Sequence, residues 1–421
     1  MNLARQMQQY LPEEPLKLVN DITRQTAQPR EKVFLVGGVV RDMLLGDRSL
    51  HPGLRFDLDV VVEGDAVRLA QRVAETTNAR PVIHHRFGTA KLRYERFVLD
   101  VATARKETYA RAGALPQVIP STIQDDLARR DFSINAMAIS LCLEDYGDLF
   151  DPHQGKSDLE SRLIRILHAR SFCDDATRIL RAVRYEQRLG FELEAQTAQL
   201  LERDIRMLDT ISGDRIRHEL QLILEEEQPE LTIKRLAELG VLPRMNRSLK
   251  GNGWIATKFD LARQLNKPTQ LPSLYFCLLV YSLSEEALEQ FLTRLNTPAG
   301  LSRAMRHTLR LKTRLHLLDR PSLRPSDIYY LLQEYDSLAI QTNAIASESP
   351  MVRRNLESFL ARLRYVKTTL DGKELKEMGV PVGPEVGKVL QLLHKAKLDG
   401  EVRTRADEIE LARSVSPKLE R

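Results

Sequence analysis

The stretch RFDLDVVVEG, residues 55–64, decides how this chain reads. Its β-branched, apolar run gives a strand over 56–62, yet Asp57 and Asp59 occupy alternate positions within it. Residues two apart in a strand share a face, so both carboxylates project to one side and Leu58 to the other. Neighbouring carboxylates repel, and burying them unpaired is costly. A divalent cation resolves both problems. Mg²⁺ takes carboxylate oxygens and keeps water and phosphate oxygens as its other ligands. In two-metal phosphoryl transfer, one ion serves the attacking hydroxyl and the other the leaving pyrophosphate. Taken alone, D-x-D reads more readily as a surface turn or strand-edge pair, so its surroundings must decide.

Those surroundings are a small α/β domain. VFLVGG (33–38), RPVIHH (80–85), TAKLRY (89–94) and RFVLDVA (96–102) read as further strands, with helical periodicity in VVRDMLLG and DAVRLAQRVAETTN between them. Asp100, near the end of the last of these strands, completes an acidic triad if that strand pairs with 56–62. In LVGGVVRDMLLG (35–46) an apolar strand runs into Gly37 and Gly38 and a helix follows at once. Glycines let a phosphate approach the backbone, and a helix N-terminus supplies N–H donors. Arg41 then lies in the first turn, placed to grip a triphosphate, with Asp42 orienting it. In STIQDDLARRDFSINAMAISL (121–141) a Ser/Thr cap opens a helix expected to continue through the segment. There Arg130 reads as a contact to phosphate or ribose, with Asp131 and Asn135 shaping the sugar pocket; a solvated ion-paired face is the plainer alternative.

Beyond about residue 158 the pattern turns helical almost to the C-terminus, with interruptions near 248–253, 266–273, 319–327 and 379–387. The 421 residues are 43% hydrophobic and 29% charged, with a net charge of +5, as in an ordinary globular protein. The three cysteines Cys142, Cys173 and Cys277 lack CxxC spacing and build no zinc site. No secretory segment opens the sequence, and LYFCLLVYSL (274–283) is too short to span a bilayer, so a cytoplasmic protein without a membrane partner is expected. His84 and His85 are consecutive strand residues facing opposite ways, which argues against shared metal ligation.

GGVVRD, DLD, RRDFSINAMA, DPHQGKSDLESRLIRIL and DDATRILRAVRYEQRLGF, in this order, resemble the class II tRNA nucleotidyltransferase/poly(A) polymerase family, bacterial type. The likeness covers residues 31 to about 220, and 375–405 is similar to the tail of bacterial members. It implies an α+β fold: a polymerase-β-like head of mixed sheet and helices, followed by an elongated all-α neck, body and tail. The implied divisions are a helical extension (1–30), head (31–157), neck (158–245), body (246–345) and tail (346–421). By the same resemblance Asp57 and Asp59 bind Mg²⁺, and Gly38 and Arg41 bind triphosphate beside Gly37. Arg130 matches the basic residue of the second motif, and Asp175, Arg178, Arg181 and Arg184 match a nucleotide-reading helix.

That helix also reads physically. Ser171 and Asp174 fit a cap and its partner three residues on, and Asp175 and Arg178 would be neighbours on one face. Asp accepts and Arg donates, which matches the exocyclic amino group and adjacent ring nitrogen of cytosine and of adenine and rejects uracil and guanine. The family usually has Glu-Asp where this chain has Asp174-Asp175. A long polar segment, 103–124, matches a flexible element that in the family helps the switch from C to A. The expected function is template-independent addition of C and A from CTP and ATP to the tRNA 3′ end. The acceptor stem, 3′ end and elbow would be the contacts. An A-adding or CC-adding enzyme, a poly(A) polymerase and a silent RNA-binding protein are the rivals.

Overall fold

The computed structural model describes residues 1–25, 31–46, 56–77, 79–85, 88–108, 116–266 and 268–415. Much of the 103–124 segment, at 109–115, lies outside the described residues. Two compact units form: Met1–Leu220 with Leu239–Arg244, and Gln221–Glu238 with Met245–Arg421. The predicted extension, head and most of the predicted neck thus share the first unit, and most of the body and tail share the second.

The first unit starts with two helices, α1 (Ala4–Tyr10) and α2 (Glu13–Gln25). Strand β1 (Lys32–Val36) then leads straight into α3 (Gly38–Leu45). After β2 (Phe56–Glu63) comes α4 (Ala66–Thr77), and then β3 (Pro81–His84), β4 (Thr89–Arg93) and β5 (Phe97–Thr103). A seven-stranded sheet has the order β3-β4-β5-β2-β1-β8-β9, where β8 is Ala138–Ser140 and β9 is Leu149–Phe150. Its β2–β5 pair is parallel and its other pairs are antiparallel. A separate hairpin joins β6 (Arg105–Thr108) to β7 (Gln117–Pro120).

The alternation read in 55–64 holds. Leu58, Val60 and Val62 are buried on one face, while Asp57 and Asp59 lie on the other. Register pairs Asp59 with Val36 on one side and with Asp100 on the other, and Asp100 with Lys91. One face of the sheet therefore gathers Asp57, Asp59 and Asp100 at the end of β1, where the chain turns at Gly37.

Three segments depart from the sequence reading. The helix expected across 121–141 is short: α5 (Ile123–Ala128) is capped by Thr122, and the chain then turns through a 3₁₀ segment at Ser133–Asn135 into β8. Asp131 breaks it by accepting the Phe132 N–H on its own side chain at 2.8 Å. The apolar run that follows satisfies its backbone against β1 instead. DLESRLIRIL is likewise only helical as far as α6 (Gly155–Glu160); Leu163–Ile164 is β10, parallel to β11 (Glu192–Leu193). Lastly, the motif from Ser171 is two helices, α7 (Ser171–Asp174) and α8 (Thr177–Leu189), with Asp175 extended between them at φ −142°. Ser171 caps nothing; its hydroxyl serves Arg178 instead. Two more helices follow, α9 (Ala195–Asp204) and α10 (Gly213–Leu224).

The second unit is helical throughout its described residues. One of its cores joins Leu311, Leu332, Ile340, Leu356, Phe359 and Leu363, and another joins Leu375, Val386, Leu393 and Ala412. Trp254 stacks on Tyr281 at 5.5 Å. No helix among the described residues is long and apolar enough to cross a membrane.

Candidate active site

A cavity of about 840 Å³ opens beside the acidic face of the sheet. Its lining joins Gly37, Gly38, Asp59 and Asp100 from the sheet side to Arg129, Arg130, Asp131 and Asn135. Asp175, Arg178, Arg181 and Tyr185 face it from the α7–α8 region, and Arg215, His218 and Glu219 from α10. Sequence positions far apart thus meet in one hollow. Of the residues expected there, Asp57, Arg41 and Arg184 do not line it.

The turn at Gly37 has φ +77° and ψ −140°, a region open to glycine alone in practice. A Cβ there would stand 3.1 Å from Asp59 Oδ2 and 3.3 Å from Arg130 Nη1, so the turn, the acid and the base are packed on one another. Gly37→Ala is expected to cost about 1–3 kcal/mol and to displace Asp59. Thermal unfolding together with nucleotide incorporation checks this; an unchanged melting temperature would refute it.

Asp59 is enclosed. Its carboxyl is raised to about 6, chiefly by burial and also by the charges of Asp100 and Asp57, against the pull of Arg130. Asp100 is held by Lys91 at 3.0 Å. Among the described residues no group of three or more His, Cys, Asp or Glu converges tightly enough to hold a metal by itself. A crowded, oxygen-only acidic pair with room beside it nonetheless fits Mg²⁺, which binds through one or two carboxylates plus water and substrate phosphate.

The arginines divide in a way that spacing does not show. Arg41 is 3% exposed and does not line the cavity, with Nε donating to Asp42 and Nη1 to Asn135 Oδ1, both at 2.7 Å. An adjacent carboxylate and the Asn135 amide oxygen hold this guanidinium in the interior, behind the cavity-lining residues. Arg181 donates to Asp131 Oδ2 from Nε at 2.9 Å and from Nη2 at 2.6 Å, and reaches Glu219 at 3.3 Å. Arg184 is 6% exposed and donates to the same Glu219 at 3.2 Å. The guanidinium carbons of Arg41, Arg181 and Arg184 all stand 5.2–5.6 Å from the Tyr185 ring. These three fasten α3, α8 and α10 together. Burial alone would push Asp131 up, but Arg181 and the Asn135 amide hold it at about 2.

Arg130 is the basic side chain that pulls hardest on Asp59. Its Nη2 meets Asp126 at 3.2 Å and its Nη1 the Asn135 carbonyl at 3.4 Å, leaving further donors toward the cavity. Asp175 and Arg178 are not neighbours on one helix face, because Asp175 precedes α8 and caps it. Its Oδ1 accepts from Thr177 N at 2.9 Å, from Thr177 Oγ1 at 2.6 Å and from Arg215 at 2.7 Å. Arg178 donates to Ser171 Oγ at 2.7 Å and to the Arg129 carbonyl at 2.6 Å. Both still border the cavity, now as rigidly held groups. Arg215, His218, Glu219 and Tyr185 escaped the sequence reading; only the helical period of 213–224, which puts 215, 218 and 219 on one side, hinted at them.

Comparison with known proteins agrees with this architecture. The sequence model of the "Poly A polymerase head domain" matches residues 33–165, and that of the "Probable RNA and SrmB-binding site of polymerase A" matches 190–250. An A-adding tRNA nucleotidyltransferase of Halalkalibacterium halodurans is 34% identical, with 98% of this chain and 95% of that protein aligned. One from Geobacter sulfurreducens is also 34% identical over 96% of this chain, which spans about half of that longer protein, 48%. The structure of the Thermotoga maritima CCA-adding enzyme complexed with tRNA-CCA superposes with a TM-score of 0.76 at 29% identity, covering 99% of both chains. Likeness sustained end to end, over a sheet and cavity built in this way, means that the chain belongs to the tRNA nucleotidyltransferase family.

Proposed function

We propose that this chain transfers adenylate from ATP to the 3′ end of tRNA and releases pyrophosphate. The observation that carries the reading is Asp59 packed against the Gly37 turn and Arg130, in one cavity with Asp100, Asp175 and Arg178, with Asp57 on the same face of β2. Asp57 and Asp59 would hold Mg²⁺, which when bound supplies positive charge between the attacking hydroxyl and the leaving phosphates. The first N–H groups of α3 and the Arg130 guanidinium receive the triphosphate. Asp100, opposite Asp59 and tethered to Lys91, is the carboxylate placed to take the proton of the 3′-hydroxyl. Asp175 Oδ2, which has no partner among the described residues, accepts from the exocyclic amino group. The N–H groups that Arg178 does not give to Ser171 and Arg129 donate to the ring nitrogen.

Adenine is preferred to the C-and-A pair because the 34% likeness to A-adding enzymes runs through nearly the whole chain. Full C-and-A addition, the expectation from sequence, is the second reading, favoured by the 99% overlap with a CCA-adding structure. Labelled ATP and CTP offered separately to tRNAs ending before CCA, after C and after CC distinguish them. The expected result is A incorporated after CC alone. Incorporation of C as well establishes the second reading, and no incorporation of either removes both.

A further inference from the structure

The arginines around the active site differ in what holds them. Arg41, Arg130, Arg181 and Arg184 each meet a carboxylate. Arg178 meets none among the described residues; both groups that hold it are neutral. Its Nη1 donates to Ser171 Oγ at 2.7 Å and its Nη2 to the Arg129 carbonyl at 2.6 Å. Arg178 is 6% exposed and lines the cavity, so its charge is left for whatever fills that hollow. Ser171 is fully buried, at 0%, and does not line the cavity.

Ser171 bonds to both residues that border the cavity from the α7–α8 junction. Its backbone carbonyl accepts the Asp175 N–H at 3.1 Å, and its hydroxyl accepts from Arg178. The serine is itself anchored: its N–H goes to the His168 carbonyl at 3.0 Å, and Phe172 beside it is wholly buried. The two holds on Arg178 come from different elements, α7 and the end of α5, and act on different nitrogens. A planar guanidinium gripped at both terminal nitrogens neither rotates nor swings aside. That stiffness bears on base choice. Adenine and cytosine present a bare ring nitrogen beside the amino group, where guanine and uracil present a ring N–H. A mobile guanidinium gives way before that N–H. A fixed one leaves two donors opposed and both unpaired, which is a repulsive element against the wrong base.

We propose that Ser171 is a positioning residue for base choice: its hydroxyl fixes the Arg178 guanidinium so that guanine and uracil are refused. A hydroxyl suits this role better than a carboxylate, because it sets the direction of the N–H groups without cancelling their charge. Asp175 needs no equivalent, since Thr177 and Arg215 already fix its Oδ1. The inference rests on the base reading proposed above and adds to it a residue outside the cavity wall.

The experiment offers ATP, GTP and UTP singly, with tRNA ending in CC, to the full chain and to its Ser171→Ala and Ser171→Cys variants, with melting curves recorded alongside. Cysteine fills the space of serine but accepts only weakly, so it separates the hydrogen bond from packing. In both variants the ratio of kcat/KM for ATP to that for GTP is expected to fall about tenfold or more, as for loss of a hydrogen bond to a charged group. Incorporation of GTP and UTP should rise in absolute terms. A purely structural role would instead lower all three nucleotides by one factor, and that result overturns the proposal. Unchanged selectivity in either folded variant does so too; if the alanine variant does not fold, the cysteine variant decides. Should the wild type transfer no nucleotide to tRNA, the proposed function fails. Equilibrium dialysis of ATP and of GTP with Mg²⁺ against wild type and variants then still judges Ser171 by the same ratio.

Discussion

Asp59→Asn is expected to abolish nucleotide incorporation, by on the order of a thousandfold or more, while making the metal-free protein more stable. The two effects have one cause. Asp59 sits among Asp57 and Asp100, and its carboxyl is raised to about 6 from 3.8, with burial the largest cause. A carboxyl whose folded pKa exceeds its unfolded value binds protons more tightly in the native state. Stability then falls as pH rises from about 4 to about 6, and above that the full cost is present. The shift corresponds to a cost on the order of 3 kcal/mol at neutral pH, which the amide does not carry. Melting curves in the presence of a chelator should therefore show the variant above the wild type at pH 7 and level with it near pH 4. A variant that incorporates normally sinks the assignment of Asp59. One that melts lower at pH 7 sinks the electrostatic account, whatever its activity.

How much of this was legible beforehand depends on the range over which each residue is satisfied. Strand β2 was readable because a period of two is local, and Asp57 and Asp59 showed their shared face before any partner was known. The pairing of β2 with β5, which sets Asp100 opposite Asp59, was stated as a condition and is met in register. The turn at Gly37 was readable because two glycines between a strand and a helix have few other uses. Arginine was not readable. Arg41, Arg130, Arg178, Arg181 and Arg184 are chemically alike, and their work is decided by acceptors such as Asn135 and Glu219 that lie 35 to 94 residues away. The break at Asp175 failed for a related reason. Continuous helical periodicity from 171 to 189 hides an aspartate that turns its carboxylate onto the next helix's first N–H. The run 132–141 misled similarly, since the strand that claims it, β1, lies about a hundred residues earlier.

Arg181→Met carries the largest stability change. Arg181 joins Asp131 on the turn after α5 to Glu219 on α10, both carboxylates being nearly enclosed at 10% and 7% side-chain exposure. Removing the guanidinium leaves the Asp131 charge with only the neutral Asn135 amide and Phe132 N–H, both on Oδ1, and leaves Glu219 to Arg184. Breaking a buried pair from one side costs about 3–5 kcal/mol, more than the pair itself contributes. Since Asp131 is held at about 2, below its unfolded 3.8, the wild type has this stabilisation in full above about pH 4 and loses it as pH falls toward 2. The variant has none of it to lose. Urea midpoints measured from pH 7 down to pH 3 should thus lie far apart at neutral pH and approach one another in acid. Adding Asp131→Asn to Arg181→Met should recover part of the loss at pH 7, because the unpaired charge is gone. A single variant whose deficit is the same at pH 3 as at pH 7 would mean that Arg181 acts by filling space beside Tyr185, and that the ion pair is incidental.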